Sequence, residues 1–206
     1  MKKLLHLGLR LPKAEPGWEI VHYPVIKIAP RSDLADALTL LPHFTHIIFT
    51  SQTTIEVLKQ QSLVHKLIHL PALVVGPATA TAASAAGWKE IHTAQECTAE
   101  GLVAELPQLI TASDYIFWPH ARQSRPVLTH YLEGRGIPCH HCIAYETELQ
   151  QPVPYPHLTE FDAIQFTSPT TVDGFFSLYD TLPAHLEVRC IGPITSAHLK
   201  RYLQDD

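Results

Sequence analysis

Three features of the sequence predict an α/β fold of parallel sheet with helices on its faces. Short apolar runs alternate with helical patterns through the middle of the chain, an order that builds parallel sheet. Two motifs also recur in the same order. Ile47-Ile48-Phe49-Thr50-Ser51-Gln52-Thr53-Thr54-Ile55 returns as Ile164-Gln165-Phe166-Thr167-Ser168-Pro169-Thr170-Thr171-Val172, and Val74-Val75-Gly76-Pro77-Ala78-Thr79 returns as Cys190-Ile191-Gly192-Pro193-Ile194-Thr195. Their separations match as well: Phe49 and Gly76 lie 27 residues apart, Phe166 and Gly192 26. Duplication on this scale predicts two related halves.

Taken in order, Leu4 to Leu9 reads as the first strand, ended by Arg10-Leu11-Pro12. The Pro- and Gly-containing segment to Gly17 is a loop, with no room for a helix before Trp18. Trp18 to Ile28 alternates in part, and Tyr23-Pro24 marks a bend or an edge strand. Ser32-Asp33 caps a short helix, Leu34 to Leu41. Thr45 to Phe49 is a strand and Thr53 to Lys59 a helix. Leu70 to Val75 is a strand, followed by the Ala-rich helix Ala78 to Ala86, which Gly87 stops. Trp88 to His92 is a short strand, and Thr98-Ala99-Glu100-Gly101 opens a helix to about Ile110. Tyr115 to Trp118 is a strand ending at Pro119-His120-Ala121-Arg122. Pro126 to Gly134 is helical and Ile137 to Glu148 is a longer strand. Gln151 to Pro156, with its three prolines, is a linker. The pattern then restarts with strand Ala163 to Phe166, helix Thr170 to Tyr179, strand Val188 to Ile191 and helix Ile194 to Leu203.

Composition narrows the function. The 206 residues are 46% hydrophobic and 17% charged, a globular balance with no apolar run near the ~20 residues of a membrane span. The opening Met1-Lys2-Lys3-Leu4-Leu5-His6 has a signal peptide's charged start. His6 and Arg10 interrupt its apolar run and no small-residue cleavage site follows, so a cytoplasmic protein is expected. The net charge of −5 argues against nucleic acid, whose backbone needs clustered Lys and Arg. Cys139 and Cys142 have Cys-x-x-Cys spacing around His140 and His141. They lie in a predicted strand, where side chains alternate, and no second ligand pair follows at zinc spacing, so no metal is expected. The other twelve histidines are expected at the surface or at caps. Neither G-x-G-x-x-G nor a P-loop occurs, which disfavours a nucleotide-using transferase.

Both duplicated motifs read as a buried strand, a tight turn with an N-cap, and a helix start. A helix start presents unpaired backbone N–H groups and can hold an anion, and open α/β sheets bind ligands at the carboxyl ends of strands. Arg10 follows the first strand, and Arg122 and Arg125 follow the strand ending at Trp118. An arginine at such a mouth pairs bidentately with a carboxylate.

The ordered set Phe49-Thr50-Ser51, Val75-Gly76-Pro77-Ala78-Thr79, Ala99-Glu100-Gly101-Leu102, Tyr131-Leu132-Glu133-Gly134-Arg135-Gly136, Ala144-Tyr145-Glu146-Thr147, Phe166-Thr167-Ser168-Pro169 and Ile191-Gly192-Pro193-Ile194-Thr195 resembles the uroporphyrinogen-III synthase family. The resemblance implies two α/β lobes, each a parallel sheet flanked by helices, with the active site in the cleft between them. One lobe would be residues 29–144, the other residues 1–24 plus 150–206, and 25–28 and 145–149 would be linker strands. The implied reaction closes hydroxymethylbilane to uroporphyrinogen III, with inversion of the last pyrrole ring and loss of water, by a monomer that needs no cofactor. The eight carboxylates of that substrate would meet backbone N–H groups at Thr50-Ser51, at Gly76, Ala78 and Thr79, at Thr167-Ser168, and at Gly192, Ile194 and Thr195. Tyr145 stands where the family has a tyrosine proposed to assist departure of the substrate hydroxyl.

The chain departs from the family pattern at Ala121, usually glycine, and at Gln52, commonly proline. A helix after the first strand and a last strand–helix unit are also missing, both from the two-ended lobe, whose core is therefore expected to be small. The rival expectation is a non-enzymatic, two-lobed small-molecule binding or sensory module.

Overall fold

In the computed structural model, which describes residues 1–39 and 43–204, the chain divides into two compact units. One is Met1–Ile28 with Thr147–Asp206, the other Ala29–Glu146. The elements are β1 (Lys2–His6), β2 (Trp18–His22), β3 (Ile26–Pro30), α1 (Leu34–Thr39), β4 (His46–Phe49), α2 (Gln52–Gln60), α3 (Val64–Leu67), β5 (Ala72–Val74) and α4 (Pro77–Ala86). They continue with β6 (Ile91–Thr93), α5 (Ala99–Leu109), β7 (Ile116–Ala121), α6 (Val127–Gly134) and β8 (Cys139–Leu149). After a 3-10 turn at Leu158–Glu160 come β9 (Ala163–Phe166), α7 (Pro169–Phe176), β10 (Glu187–Cys190) and α8 (Pro193–Tyr202).

The two-ended unit holds a four-stranded sheet in the order β10-β9-β1-β2, with every neighbouring pair parallel. The other sheet runs β3-β8-β7-β4-β5-β6, parallel from β8 to β6. Against β8, β3 is antiparallel: Gln150 N–H donates to Val25 O, Lys27 pairs with Glu148, and Arg31 N–H donates to Ala144 O, so the partners step in opposite directions. This is the mixed α/β architecture the strand–helix alternation predicts.

The duplicated motifs become duplicated structure. β4-α2-β5-α4 and β9-α7-β10-α8 each place two parallel strands side by side, with α2 on α4 and α7 on α8. Matching hydrogen bonds close each pair: Val75 N–H to Phe49 O at 3.2 Å, and Ile191 N–H to Phe166 O at 2.9 Å. Because both ladders end at the same residue of the repeat, the two turns of each copy lie next to one another.

The boundaries shift where tertiary contacts override local pattern. β1 ends at His6 rather than Leu9. Trp88 precedes β6 instead of starting it, since its ring is buried edge-on against Phe49 at 5.1 Å. β7 continues through Pro119 to Ala121. Pro119 is tolerated because β4 pairs only with Ile116 and Phe117, so no ladder partner on that side requires its missing N–H. α3 and the 3-10 turn are too short to show a sequence period, and the end of the predicted helix Leu34 to Leu41 lies outside the described residues.

A right-handed crossover fixes the face a connection occupies. β9 to β10 moves one way across the four-stranded sheet and β1 to β2 the other, so their connections cover opposite faces. α7 and α8 pack Val172, Phe175 and Leu199 on the face of Leu5, Leu7 and Phe166. The opposite face is covered by the helix-free segment 7–17, leaving Leu4 and His6 only 1% and 3% exposed.

The helical face has no slack at Gly174. A Cβ there would lie 2.6 Å from Val25 Cγ2 and 2.9 Å from Val25 Cβ, a fully buried side chain. Gly174→Ala is expected to destabilise the two-ended unit by about 1–3 kcal/mol, read as a lower urea midpoint by far-UV circular dichroism.

Candidate anion-binding turns

Each copy of the repeat contributes a Thr-Ser turn and a Gly-Pro turn at the carboxyl ends of its strands. Thr50, Ser51, Gly76, Ala78 and Thr79 belong to the central unit, as do Arg122, Arg125 and Tyr145; Arg10, Thr167, Ser168, Gly192, Ile194 and Thr195 belong to the two-ended unit.

The Gly-Pro turns hold open donors. Gly76 and Gly192 are the N-caps of α4 and α8, neither with a side-chain cap, and each is followed by proline at the first helical turn. The helical ladder starts with Ala80 N–H to Gly76 O (3.0 Å) and Ser196 N–H to Gly192 O (3.3 Å). Proline has no N–H, so the ladder leaves the amides of Ala78 and Thr79, and of Ile194 and Thr195, without helical partners. Ala78, Gly192 and Ile194 are exposed residues and Gly76 is half-buried, whereas Thr79 and Thr195 are buried. Ile191 and Ile194 flank the second turn at 55% and 61% exposure, an apolar rim beside the amides.

The Thr-Ser turns differ from each other. Ser51 caps α2 by accepting from Thr53 N–H (3.1 Å). Ser168 caps α7 by accepting from Thr171 N–H (3.3 Å), and the Thr171 hydroxyl returns the contact. Thr171 Oγ1 accepts from the N–H groups of Thr167 (3.1 Å) and Ser168 (3.2 Å) and donates to Ser168 O (2.7 Å). The expectation that the Thr167 and Ser168 amides face a ligand is therefore corrected: the protein's own side chain takes both. The equivalent residue of the first copy, Thr54, is fully buried, yet its hydroxyl has no hydrogen-bond partner among the described residues.

Arg122 and Arg125, which follow β7, are paired with carboxylates of their own unit. Arg122 Nε sits 2.6 Å from Glu146 Oε1, and Arg122 N–H donates to Tyr145 O at 3.0 Å. Arg125 grips Glu100 with both terminal nitrogens, the Nη2 contact at 2.9 Å, and its hydrogen bonds hold the Glu100 carboxyl below the usual range. Tyr145 is 5% exposed and lies opposite Ala121 in the β7–β8 register, just past a bulge at His120/Ala121.

Two histidines expected at the surface are buried. His6 is 3% exposed. His120 is 9% exposed, donates from Nδ1 to Ala121 O at 2.8 Å, and is held neutral chiefly by burial, which lowers its pKa. The signal for His6 was an imidazole inside the apolar run Leu4-Leu5-His6-Leu7; for Thr171 it was the Ser168-x-x-Thr171 spacing. Cys139 is partly buried against the hydrophobic cluster of the central unit, opposite Ile116 in the β7–β8 register, while Cys142 faces Arg31 and Asp33. Burial pushes both thiols up to about 12, so neither is a thiolate nucleophile near neutral pH.

Comparison with known proteins gives this geometry a context. The family profile described as "Uroporphyrinogen-III synthase HemD" matches residues 12–204. A uroporphyrinogen-III synthase of Synechococcus elongatus is 25% identical over 200 residues, covering 87% of this chain and 76% of the relative. Among solved structures, uroporphyrinogen-III synthetase from Helicobacter pylori 26695 superposes with TM-score 0.70 at 16% identity, over 98% of this chain and 89% of that one. A mutant uroporphyrinogen III synthase from the extremely thermophilic bacterium Thermus thermophilus superposes with TM-score 0.63 at 17% identity, over the same shares of both chains.

The unequal threonines make opposite mutational expectations. Thr171→Val removes three hydrogen bonds and should cost about 1–3 kcal/mol. Thr54→Val removes a buried hydroxyl that has no partner among the described residues and should be neutral or stabilising by up to about 1 kcal/mol. Urea denaturation of the two variants checks the contrast, and equal losses would contradict it.

Proposed function

The chain belongs to the uroporphyrinogen-III synthase family, and we propose that it closes hydroxymethylbilane to uroporphyrinogen III, inverting the last pyrrole ring and releasing water, in tetrapyrrole biosynthesis. By reaction type this is a cyclising hydro-lyase, acting as a cytoplasmic monomer on a small molecule. Val25–Ile28 and Tyr145–Leu149 are, in this reading, the strands connecting its lobes.

The observation that carries the reading is the pair of Gly-Pro helix starts. Each offers two backbone amides outside the helical ladder, at the carboxyl end of a parallel strand. Their partners would be carboxylates, since helix N-termini favour negative charge. Amide donors bind without formal charge, which suits a chain of net charge −5 handling a polyanion. The exposed Ile191 and Ile194 add apolar contact for the pyrrole rings between the carboxylate arms. The Thr50-Ser51 turn joins this set by its amides, whereas the self-capped turn at Thr167-Ser168 contributes through the Thr167 side chain.

Chemically, the C–O bond to the substrate hydroxyl breaks and the oxygen leaves as water, so it must gain a proton. The Tyr145 hydroxyl is the donor best suited to hydrogen-bond that oxygen as it departs. What remains is a reactive cation, and holding its two ends in one arrangement supplies most of the remaining advantage. Arg122 and Arg125 would exchange Glu146 and Glu100 for substrate carboxylates, a swap of like charges that costs little at exposed sites.

Purified protein given fresh hydroxymethylbilane is expected to yield the type III isomer in excess, separated from type I by chromatography. Only type I, at the uncatalysed rate, would sink the proposal and favour a binding or sensory module. Tyr145→Phe should lower kcat roughly 10- to 100-fold with the fold intact; unchanged turnover removes the hydroxyl from the chemistry.

A further inference from the structure

The helix-free face of the four-stranded sheet carries a row of polar residues. Arg189, Gln165, His6 and His22 are register partners across β10, β9, β1 and β2. A face normally buried under an amphipathic helix would be apolar there. Here segment 7–17 covers it, buried at Leu7 and Gly8 and exposed from Arg10 on apart from half-buried Pro12, and irregular backbone laid against a sheet must find partners for groups that no ladder satisfies. His22 Nε2 lies 2.7 Å from Gly8 O, and His6 Nε2 lies 3.0 Å from Arg10 O. A carbonyl only accepts, so both imidazoles donate from Nε2. His6 Nδ1 lies 2.9 Å from Gln165 Oε1, an acceptor, so a neutral ring that donates from Nε2 needs the Gln165 amide turned to present its NH2 to Nδ1. An amide offers a donor on one end and an acceptor on the other, so Gln165 completes the ring's bonding by its orientation.

Gly8 brings this row to the candidate site. A Cβ at Gly8 would lie 2.7 Å from His6 Nε2, 2.6 Å from Thr167 Cγ2 and 2.8 Å from Thr167 Oγ1. The His6 ring and the Thr167 side chain therefore close on one point of the segment backbone, two residues before Arg10. Within this unit His6 ties the Thr-Ser turn to the arginine that follows β1.

We infer that His6 is a positioning residue: its Nε2–H, braced by Gln165, fixes the Arg10 backbone so that the arginine stands beside Thr167 and takes a substrate carboxylate. The inference rests on the synthase reading for its ligand, but the strap itself does not. In this chain two histidines hold that backbone with single hydrogen bonds.

Two measurements test it. Long-range nitrogen–proton NMR of histidine-labelled protein is expected to show His6 with Nε2 protonated and slow to exchange. A ring protonated on Nδ1 alone cannot donate to Arg10 O and overturns the inference, whatever the enzyme's activity. In steady-state assays, His6→Phe keeps the bulk and removes the donor. KM for hydroxymethylbilane should rise roughly three- to ten-fold, with kcat nearly unchanged. His6→Gln, which retains an amide donor, should recover most of that loss. On an Arg10→Ala background His6→Phe should change KM less than about two-fold, because the partner it positions is gone. Full additivity with Arg10→Ala, or a fall in kcat instead of a rise in KM, overturns the positioning role. Should His6→Phe not fold, the tautomer measurement on the unaltered protein and the Gln variant still decide. If the unaltered protein makes no type III isomer, the synthase reading fails, and the tautomer still reports on the strap.

Discussion

β4, β5, β9 and β10 each deliver the chain to a turn at a helix start, where backbone N–H groups must find an acceptor, and the repeat depends on how each turn meets that demand. A helix ladder cannot help, because its first amides are the ones left over. The two copies of the repeat solve the problem differently. Ser51 satisfies one amide of α2 and stops. Ser168 and Thr171 together close the turn before α7, leaving neither the Thr167 nor the Ser168 amide open. The Gly-Pro turns have glycine at the N-cap, which supplies no side-chain cap to their amides. Which amides are already taken is thus set by capping chemistry, although all four turns have the same strand–turn–helix form.

Much of this was legible in the sequence. Strand, turn and helix are encoded locally, so apolar runs ending in Thr-Ser or Gly-Pro located β4, β5, β9 and β10 and the helices after them. Proline after Gly76 and Gly192 marked the first helical turn, and Gly87 marked the end of α4, where its φ is 114°. The same logic separated Cys139 from Cys142, since strand alternation places residues three apart on opposite faces.

What stayed hidden depends on partners distant in sequence. Thr54 and Thr171 are the same residue at the same point of the repeat, yet one hydroxyl makes three bonds and the other makes none among the described residues. Nothing in either nonapeptide states which. His6 is paired with Gln165, 159 residues away, and only the β1–β9 register reveals that they are neighbours. Arg122 and Arg125 read as open cations because Glu146 and Glu100 reach them through the folded chain. Local pattern fixes where a donor stands, and tertiary contact decides whether it is already spent.

The pre-paired arginines bear on how an acidic chain recognises an acid. A bare arginine at a strand mouth would attract any anion, and would be screened with it at physiological salt. With Glu146 and Glu100 already in place, an incoming carboxylate gains little from charge alone, because it must displace an equivalent group. Under the proposed reaction, discrimination would then fall to local geometry: the two amides at the first turn of α4, and separately the two at the first turn of α8, would each suit a carboxylate. Recognition of an acid would rest on neutral donors held by local backbone, and in the two-ended unit segment 7–17, which carries no helix, is held at Gly8 O and Arg10 O by His22 and His6.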